Sequence, residues 1–199
     1  VERLSPLNLS DNKEIISKKI PVENIPFEVV TNEPGLLSNL IIQRKNLTPL
    51  ASHQIQIKVQ AIGINFMNLM SALGIYPGKE NGFATLGIEC AGIIDAVGEN
   101  VSDLKIGDRV FGMAYHTMSS HIQVDASLMQ IIPDNLSFEE AATIPVVFLT
   151  VYYGLIVQAR LQAGERVLIH SATGGVGLAA IQVAQFLGAE IYATAGSHE

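Results

Sequence analysis

The stretch Arg166-Val167-Leu168-Ile169-His170-Ser171-Ala172-Thr173-Gly174-Gly175-Val176-Gly177 decides the fold. Its first five residues read as an apolar strand. The small residues that follow form a G-x-G-x-x-G fingerprint with Ala172 in the first glycine place. A helix is predicted from Val176 to Leu187, capped by Gly188, and Glu190 to Ala195 reads as a second apolar strand. Residues 166–196 therefore predict one β-α-β unit of the size that makes parallel sheet. Gly174 would let the backbone approach a pyrophosphate, and Gly177 would let the helix sit against the strand. The helix N-terminus would offer unpaired N–H groups and a positive dipole end. Thr173, Gly175 and Val176 complete the candidate binding turn. A tight structural turn is the competing reading, and the strand, helix and second strand around the motif favour dinucleotide binding over it.

An acidic residue that grips a ribose 2′-hydroxyl should stand at the end of the second strand, about 20 residues past the motif. Gly196 is there, with Ser197 and His198 after it. That leaves room and donors for a 2′-phosphate and favours NADP (NADPH), with Glu199 as the alternative acid if the register is shifted.

Upstream the period changes. Gln54-Ile55-Gln56-Ile57-Lys58-Val59-Gln60 alternates polar and apolar, the period of a half-buried strand. Further short strands are predicted at 92–97, 109–112, 121–124 and 128–132, separated by Gly-Glu-Asn, Gly-Asp and Asp-Ala-Ser turns. Residues 26–133 are thus mainly β, a small barrel. After Pro133, Ser137 with Glu140 forms a capping box, and a helix is predicted from Val147 to Ala159. Residues 1–25 mix charge and polarity and read as a linker.

Composition limits the partners. Of 199 residues, 48% are hydrophobic and 16% charged, which is globular rather than disordered. A net charge of −7 gives no basic field for nucleic acid or anionic lipid. Ala141–Ala159 and Val167–Ala189 approach membrane-span length, but Pro145, Tyr152, Tyr153 and His170, with several glycines, argue for core elements instead. A single cysteine, Cys90, excludes an internal disulfide or a multi-thiolate zinc site and fits a reducing, cytoplasmic setting. It reads as a small core residue rather than a nucleophile. The start at Val1 and the stop after one β-α-β predict a piece of something longer.

Leu86-Gly87-Ile88-Glu89-Cys90-Ala91-Gly92, Val97-Gly98, Gly107-Asp108-Arg109-Val110, Pro145-Val146-Val147-Phe148-Leu149-Thr150 and Ile169–Gly177 together resemble the medium-chain dehydrogenase/reductase superfamily. The wording is most similar to the enoyl reductase domains of modular polyketide synthases and to zinc-independent quinone oxidoreductases. This implies an α/β fold with a mainly β part. A GroES-like β-barrel over 26–146 would hold substrate, and the first β-α-β of a truncated Rossmann domain over 147–199 would hold NADPH. The resemblance also implies that Asn65 lies near the nicotinamide and Thr150 on the same cofactor face; on its residues alone, Asn65 could equally cap a helix over Met67–Leu73. Tyr76 resembles a pocket-rim tyrosine, with a packing role as the alternative. Asn68 and Met118 stand where the family's usual residues are replaced, and they are candidate pocket positions. Zinc-binding relatives carry a His at the place of Ile88 and a Cys in the segment matching Gly63–Phe66, so no metal is expected.

The implied activity is hydride transfer to the β-carbon of an α,β-unsaturated acyl thioester on an acyl carrier protein, beside neighbouring synthase domains. The enolate would be protonated or, with a γ-leaving group, close a ring. The proton donor is not among these residues. A free-standing quinone oxidoreductase and a non-catalytic cofactor-binding protein of the same fold are the alternatives.

Overall fold

The computed structural model describes residues 25–31, 33–77 and 86–196; the predicted linker before Ile25, together with Ser197, His198 and Glu199, lies outside the described residues. β1 (Phe27–Thr31) and β2 (Leu40–Arg44) form an antiparallel pair with Phe27 opposite Arg44. β3 (Gln54–Ile62) is the alternating segment, and the alternation does what its period requires: Ile55 and Ile57 are buried while Lys58 faces out. β3 lies antiparallel between β4 (Glu89–Val97) and β6 (His121–Asp125); β4 pairs with β5 (Arg109–Met113), and β5 with β7 (Met129–Ile131).

The small barrel predicted over 26–133 is present as a five-stranded sheet of order β6-β3-β4-β5-β7, whose end strands β6 and β7 are not paired with each other. Between them Asp125 accepts hydrogen bonds from the backbone N–H and the hydroxyl of Ser127 at a 3₁₀ turn, Ala126–Leu128, and β7 goes on to pair with β5. The β1-β2 pair joins the β6 side through Val29 N–H to Met118 O (2.8 Å) and Phe27 N–H to Ser120 Oγ (2.8 Å).

α1 (Phe66–Ala72) follows β3, and α2 (Phe138–Ala142) starts at the expected capping box, with Ser137 and Glu140 bonded reciprocally at 3.1 and 2.8 Å. The predicted helix over 147–159 divides into α3 (Pro145–Val151) and a π-helical segment, Tyr152–Gln158, with Gly154 inside it. β8 (Arg166–Ile169), α4 (Gly175–Leu187) and β9 (Glu190–Ala193) make the parallel β-α-β unit, with Arg166 opposite Glu190. Gly188 ends α4 in the left-handed region at φ +74°, the conformation its missing Cβ permits.

One core gathers Ile55, Ile57, Cys90, Ile94, Val110 and Ile122 inside the five-stranded sheet; a second gathers Val151, Ile169, Ala172, Ala179 and Ala180 between α3, β8 and α4. Among the described residues no helix is long and apolar enough to cross a membrane.

Candidate functional site

The glycine turn is held from below by β9. Ala172 N–H donates to Thr194 O (2.9 Å), and Thr194 Oγ1 lies 3.2 Å from His170 Nδ1. His170, exposed at the strand end, thus meets the residue that follows β9. Gly174 is the N-cap of α4, its carbonyl accepting the first helical bond from Leu178 N–H (2.8 Å). Gly175, Val176 and Gly177 form the first turn of α4, where no preceding turn supplies acceptors for their N–H groups.

The three glycines have different surroundings. A Cβ on Gly177 would sit 2.6 Å from both Ala172 Cα and Ser171 O, so only glycine allows α4 this close to the strand end. At Gly174 the nearest atom would be 3.4 Å away, and at Gly175 it would be Val147 Cγ1 at 3.7 Å. Those two positions are open, and an anion could reach the backbone there. The close packing expected at Gly177 is what its surroundings require.

Gly175 lines a cavity of about 330 Å³ together with Asn65, Glu89, Val147, Phe148 and Leu178. Strand, helix starts and glycine turn thus converge on one cleft. Asn65 stands at the N-cap of α1, its side-chain Nδ2 donating to Glu89 Oε1 (2.7 Å) and its backbone N–H donating to Asn68 Oδ1 (2.8 Å). The two readings of Asn65 are therefore compatible: it caps α1 and it faces the cleft. Asn68 is buried and serves that cap, rather than standing on a cavity wall.

The remaining predicted residues are not brought to this cavity. Thr150 is exposed and donates its hydroxyl to Val146 O (2.7 Å) within its own helix. Thr173 and Val176 are exposed on the turn, and Tyr76 is at the surface just past α1. Met118 lies in the loop that receives β1, bonded through its backbone to Val29 and Leu86. Gly196 is exposed three residues beyond β9 with no atom near an added Cβ, and Ser197 lies outside the described residues.

Glu89 is the site residue that sequence reasoning passed over; it served there only to locate Ile88. Its carboxylate is 3% exposed, and both oxygens are used: Oε1 by Asn65 and Oε2 by Val146 N–H (2.8 Å) at the first turn of α3. The available signal was a charge set in the apolar run Ile88-Glu89-Cys90-Ala91, because a carboxylate is buried only when it is paired or hydrogen-bonded. Cys90 beside it is fully buried. Its thiol is pushed up to about 12, first by burial and then by the Glu89 charge, which makes it a core residue with no thiolate to offer. Among the described residues no three His, Cys, Asp or Glu side chains are grouped to hold a metal ion.

An antiparallel β domain followed by a β-α-β with a glycine turn, and a cleft where the two meet, defines a dehydrogenase-type architecture. Residues 51–129 match the alcohol dehydrogenase GroES-like domain. The reducing polyketide synthase FUB1 of Gibberella moniliformis is 44% identical over 185 residues, which cover 91% of this chain and 8% of that one. The CurK enoyl reductase crystal structure superposes with a TM-score of 0.83 at 43% identity, covering 87% of this chain and 55% of the other. The Escherichia coli quinone oxidoreductase complexed with NADPH gives a TM-score of 0.73 at 34% identity, covering 86% and 53%. The chain belongs to the medium-chain dehydrogenase/reductase superfamily and is enoyl reductase-like. It spans about half the length of the solved structures it matches and less than a tenth of the curated synthases.

Proposed function

We propose that this chain is part of an NADPH-dependent, zinc-independent enoyl reductase domain of a polyketide synthase. Its substrate is an α,β-unsaturated acyl thioester presented by an acyl carrier protein, and its setting is cytoplasmic among the other synthase domains. Residues 26–146 form the substrate-side domain, 147–199 begin the cofactor domain, and 1–25 link it to what precedes. One observation carries the reading: Gly175, open to an approaching anion at the start of α4, lines the same cavity as Asn65 and Glu89.

Whether the residues present suit a dinucleotide turns on that cradle. Gly174 and Gly175 leave the space a side chain would fill, and the first turn of α4 beside them has N–H groups with no intrahelical acceptor, an arrangement that suits a pyrophosphate. A bound nicotinamide cofactor would supply the hydride. The chain's own residues do the rest. Gly175 and Val176 anchor the diphosphate by backbone, Gly174, whose own N–H is bonded to Ser171 O (3.0 Å), leaves room for it, and Thr173 stands beside them on the turn. Asn65 orients the ring from the opposite wall of the cleft, with Thr150 on the adjoining helix. Gly196 and Ser197 leave the ribose end free of a carboxylate. Tyr76 and Met118 belong to the substrate side, with Asn68 behind Asn65.

The likeness to an NADPH-complexed quinone oxidoreductase favours a second reading, a free-standing quinone reductase. Turnover of a crotonyl thioester against a quinone, with NADPH oxidation followed by its absorbance, separates the two. Product analysis of the thioester reaction distinguishes reduction from ring closure. Quinone turnover without thioester turnover would overturn the proposal, and binding without turnover of either would make the chain a non-catalytic relative.

A further inference from the structure

We propose that Glu89 is a positioning residue of the cleft: it holds the Asn65 amide in one of its two flip states and ties that amide to the start of α3. The inference rests on the cleft being the cofactor site, and it concerns how that site is kept in shape.

An asparagine amide has two faces of opposite polarity, an oxygen that accepts and an NH2 that donates, and a 180° turn about its last bond exchanges them. The capping box of α1 turns the Asn65 oxygen toward the Asn68 backbone, and Glu89 fixes the opposite, NH2 end. Here the choice is forced. Glu89 Oε1 accepts from Asn65 Nδ2 at 2.7 Å, and a carboxylate oxygen that is not protonated cannot serve the amide oxygen instead. The other oxygen is held at 2.8 Å by Val146 N–H, so the carboxylate cannot rotate away to another partner. Gly63 closes the third side: a Cβ there would reach 2.5–2.6 Å from Glu89 Cδ and Cγ, so the side chain fills the space glycine leaves. With Nδ2 taken by Glu89, the amide oxygen Oδ1 is the end that Asn65 leaves to a donor of a ligand in the cavity that both residues line, an acceptor that aspartate would also supply.

Three elements distant in sequence thus share one buried carboxylate: β4 carries it, α1 is capped beside it, and α3 begins on it. Such charge-assisted bonds are shorter and stronger than neutral ones, and their geometry is correspondingly defined. Glutamine in place of Glu89 keeps the shape but has one acceptor oxygen for two donors. Its NH2 must face either Val146 N–H or Asn65 Nδ2. The bond to Val146 is fixed by backbone, so the Asn65 amide has to flip or part.

The test is a swap in the complete enzyme, read as NADPH affinity by cofactor fluorescence and as the division of effect between KM and kcat. Glu89→Gln is expected to weaken NADPH binding tenfold or more, with the loss in KM for NADPH larger than any loss in kcat. Asn65→Asp alone places a second carboxylate against Glu89 and is expected to bind at least as poorly. In the double variant, Glu89→Gln with Asn65→Asp, the introduced amide donates its NH2 to the introduced carboxylate and accepts from Val146 N–H. The pairing is restored with its polarity exchanged, and affinity is expected within about threefold of the parent. A merely structural role for Glu89 would restore stability and binding together, whereas recovered binding with equal urea midpoints for Glu89→Gln and the double variant is the mark of positioning.

Parental affinity in a folded Glu89→Gln protein, or a folded double variant no better than either single change, overturns the proposal. If Glu89→Gln alone does not fold, the double variant and Gly63→Ala decide. Gly63→Ala displaces the Glu89 carboxyl without altering either amide or charge, and it must weaken NADPH binding for the proposal to stand. Asn65→Ala binding NADPH as the parent does would overturn the reading of the cleft itself. Asn65→Ala weakened with Glu89→Gln unaffected would overturn only the role of Glu89.

Discussion

Replacing Gly177 and Gly174 by alanine, one at a time, separates packing from binding within a single turn. A Cβ on Gly177 lands 2.6 Å from Ser171 O and Ala172 Cα, both main-chain atoms that cannot swing aside. The first turn of α4 must retreat by about 0.8 Å to reach ordinary contact, and overpacking against rigid neighbours costs toward the upper end of about 1–3 kcal/mol. Alanine's helix propensity returns about 1 kcal/mol of that. The net expectation is a loss of about 2 kcal/mol. Gly174 stands at φ −80° with its nearest new contact at 3.4 Å, so alanine there should change stability by no more than about 0.5 kcal/mol while obstructing the approach of a diphosphate. Urea unfolding followed by far-UV circular dichroism measures the first effect, and titration of NADPH fluorescence measures the second. The midpoint should fall in Gly177→Ala alone, and affinity should fall at least tenfold in Gly174→Ala with its midpoint unchanged. Equal loss of stability in both variants, or parental affinity in Gly174→Ala, would refute the assignment of roles.

Gly196→Asp has space among the described residues, none of which lies within 4 Å of the new Cβ, and it should raise KM for NADPH far more than KM for NADH; equal effects on both would move the ribose-selecting role to Glu199. The purified enzyme should carry no stoichiometric zinc by elemental analysis, since Ile88 offers no ligand and the Cys90 thiol, held up to about 12, stays protonated. That same thiol makes stability fall at high pH. An unfolded cysteine ionises near 8.5, so the stabilisation is whole below about pH 8.5 and is lost as pH rises toward 12, at up to about 1.4 kcal/mol per unit. Rapid stoichiometric alkylation of the native protein at about pH 8, just below where a free thiol ionises, would contradict this.

The β-α-β unit was legible because each of its parts is signalled locally: an apolar run, a small-residue turn, and Gly188 in the left-handed region. β3 was legible for the same reason, its two-residue period being a property of consecutive side chains. The pairing of β7 with β5 rather than with β6 was not, because strand order is decided by contacts between segments far apart in the chain, such as Val110 opposite Ile131. Nor was the π-helical winding of Tyr152–Gln158, since hydrophobic spacing does not distinguish it from an α-helix over so few residues.

The cleft lay further out of reach of the sequence because its defining bonds join residues 24 and 57 positions apart. One element of it nevertheless has a local cause. Pro145 opens α3 and has no N–H, so Val146 carries the first backbone donor of that helix, and a helix start cannot supply its own acceptor for it. A buried donor without a partner costs about 1–3 kcal/mol. The apolar run over β4 supplies Glu89 for that donor, and the carboxylate's second oxygen is then available to Asn65. A requirement of helix initiation at Ile144-Pro145-Val146 thus places a charge at the centre of the molecule, and the orientation of the cleft's amide follows from that placement.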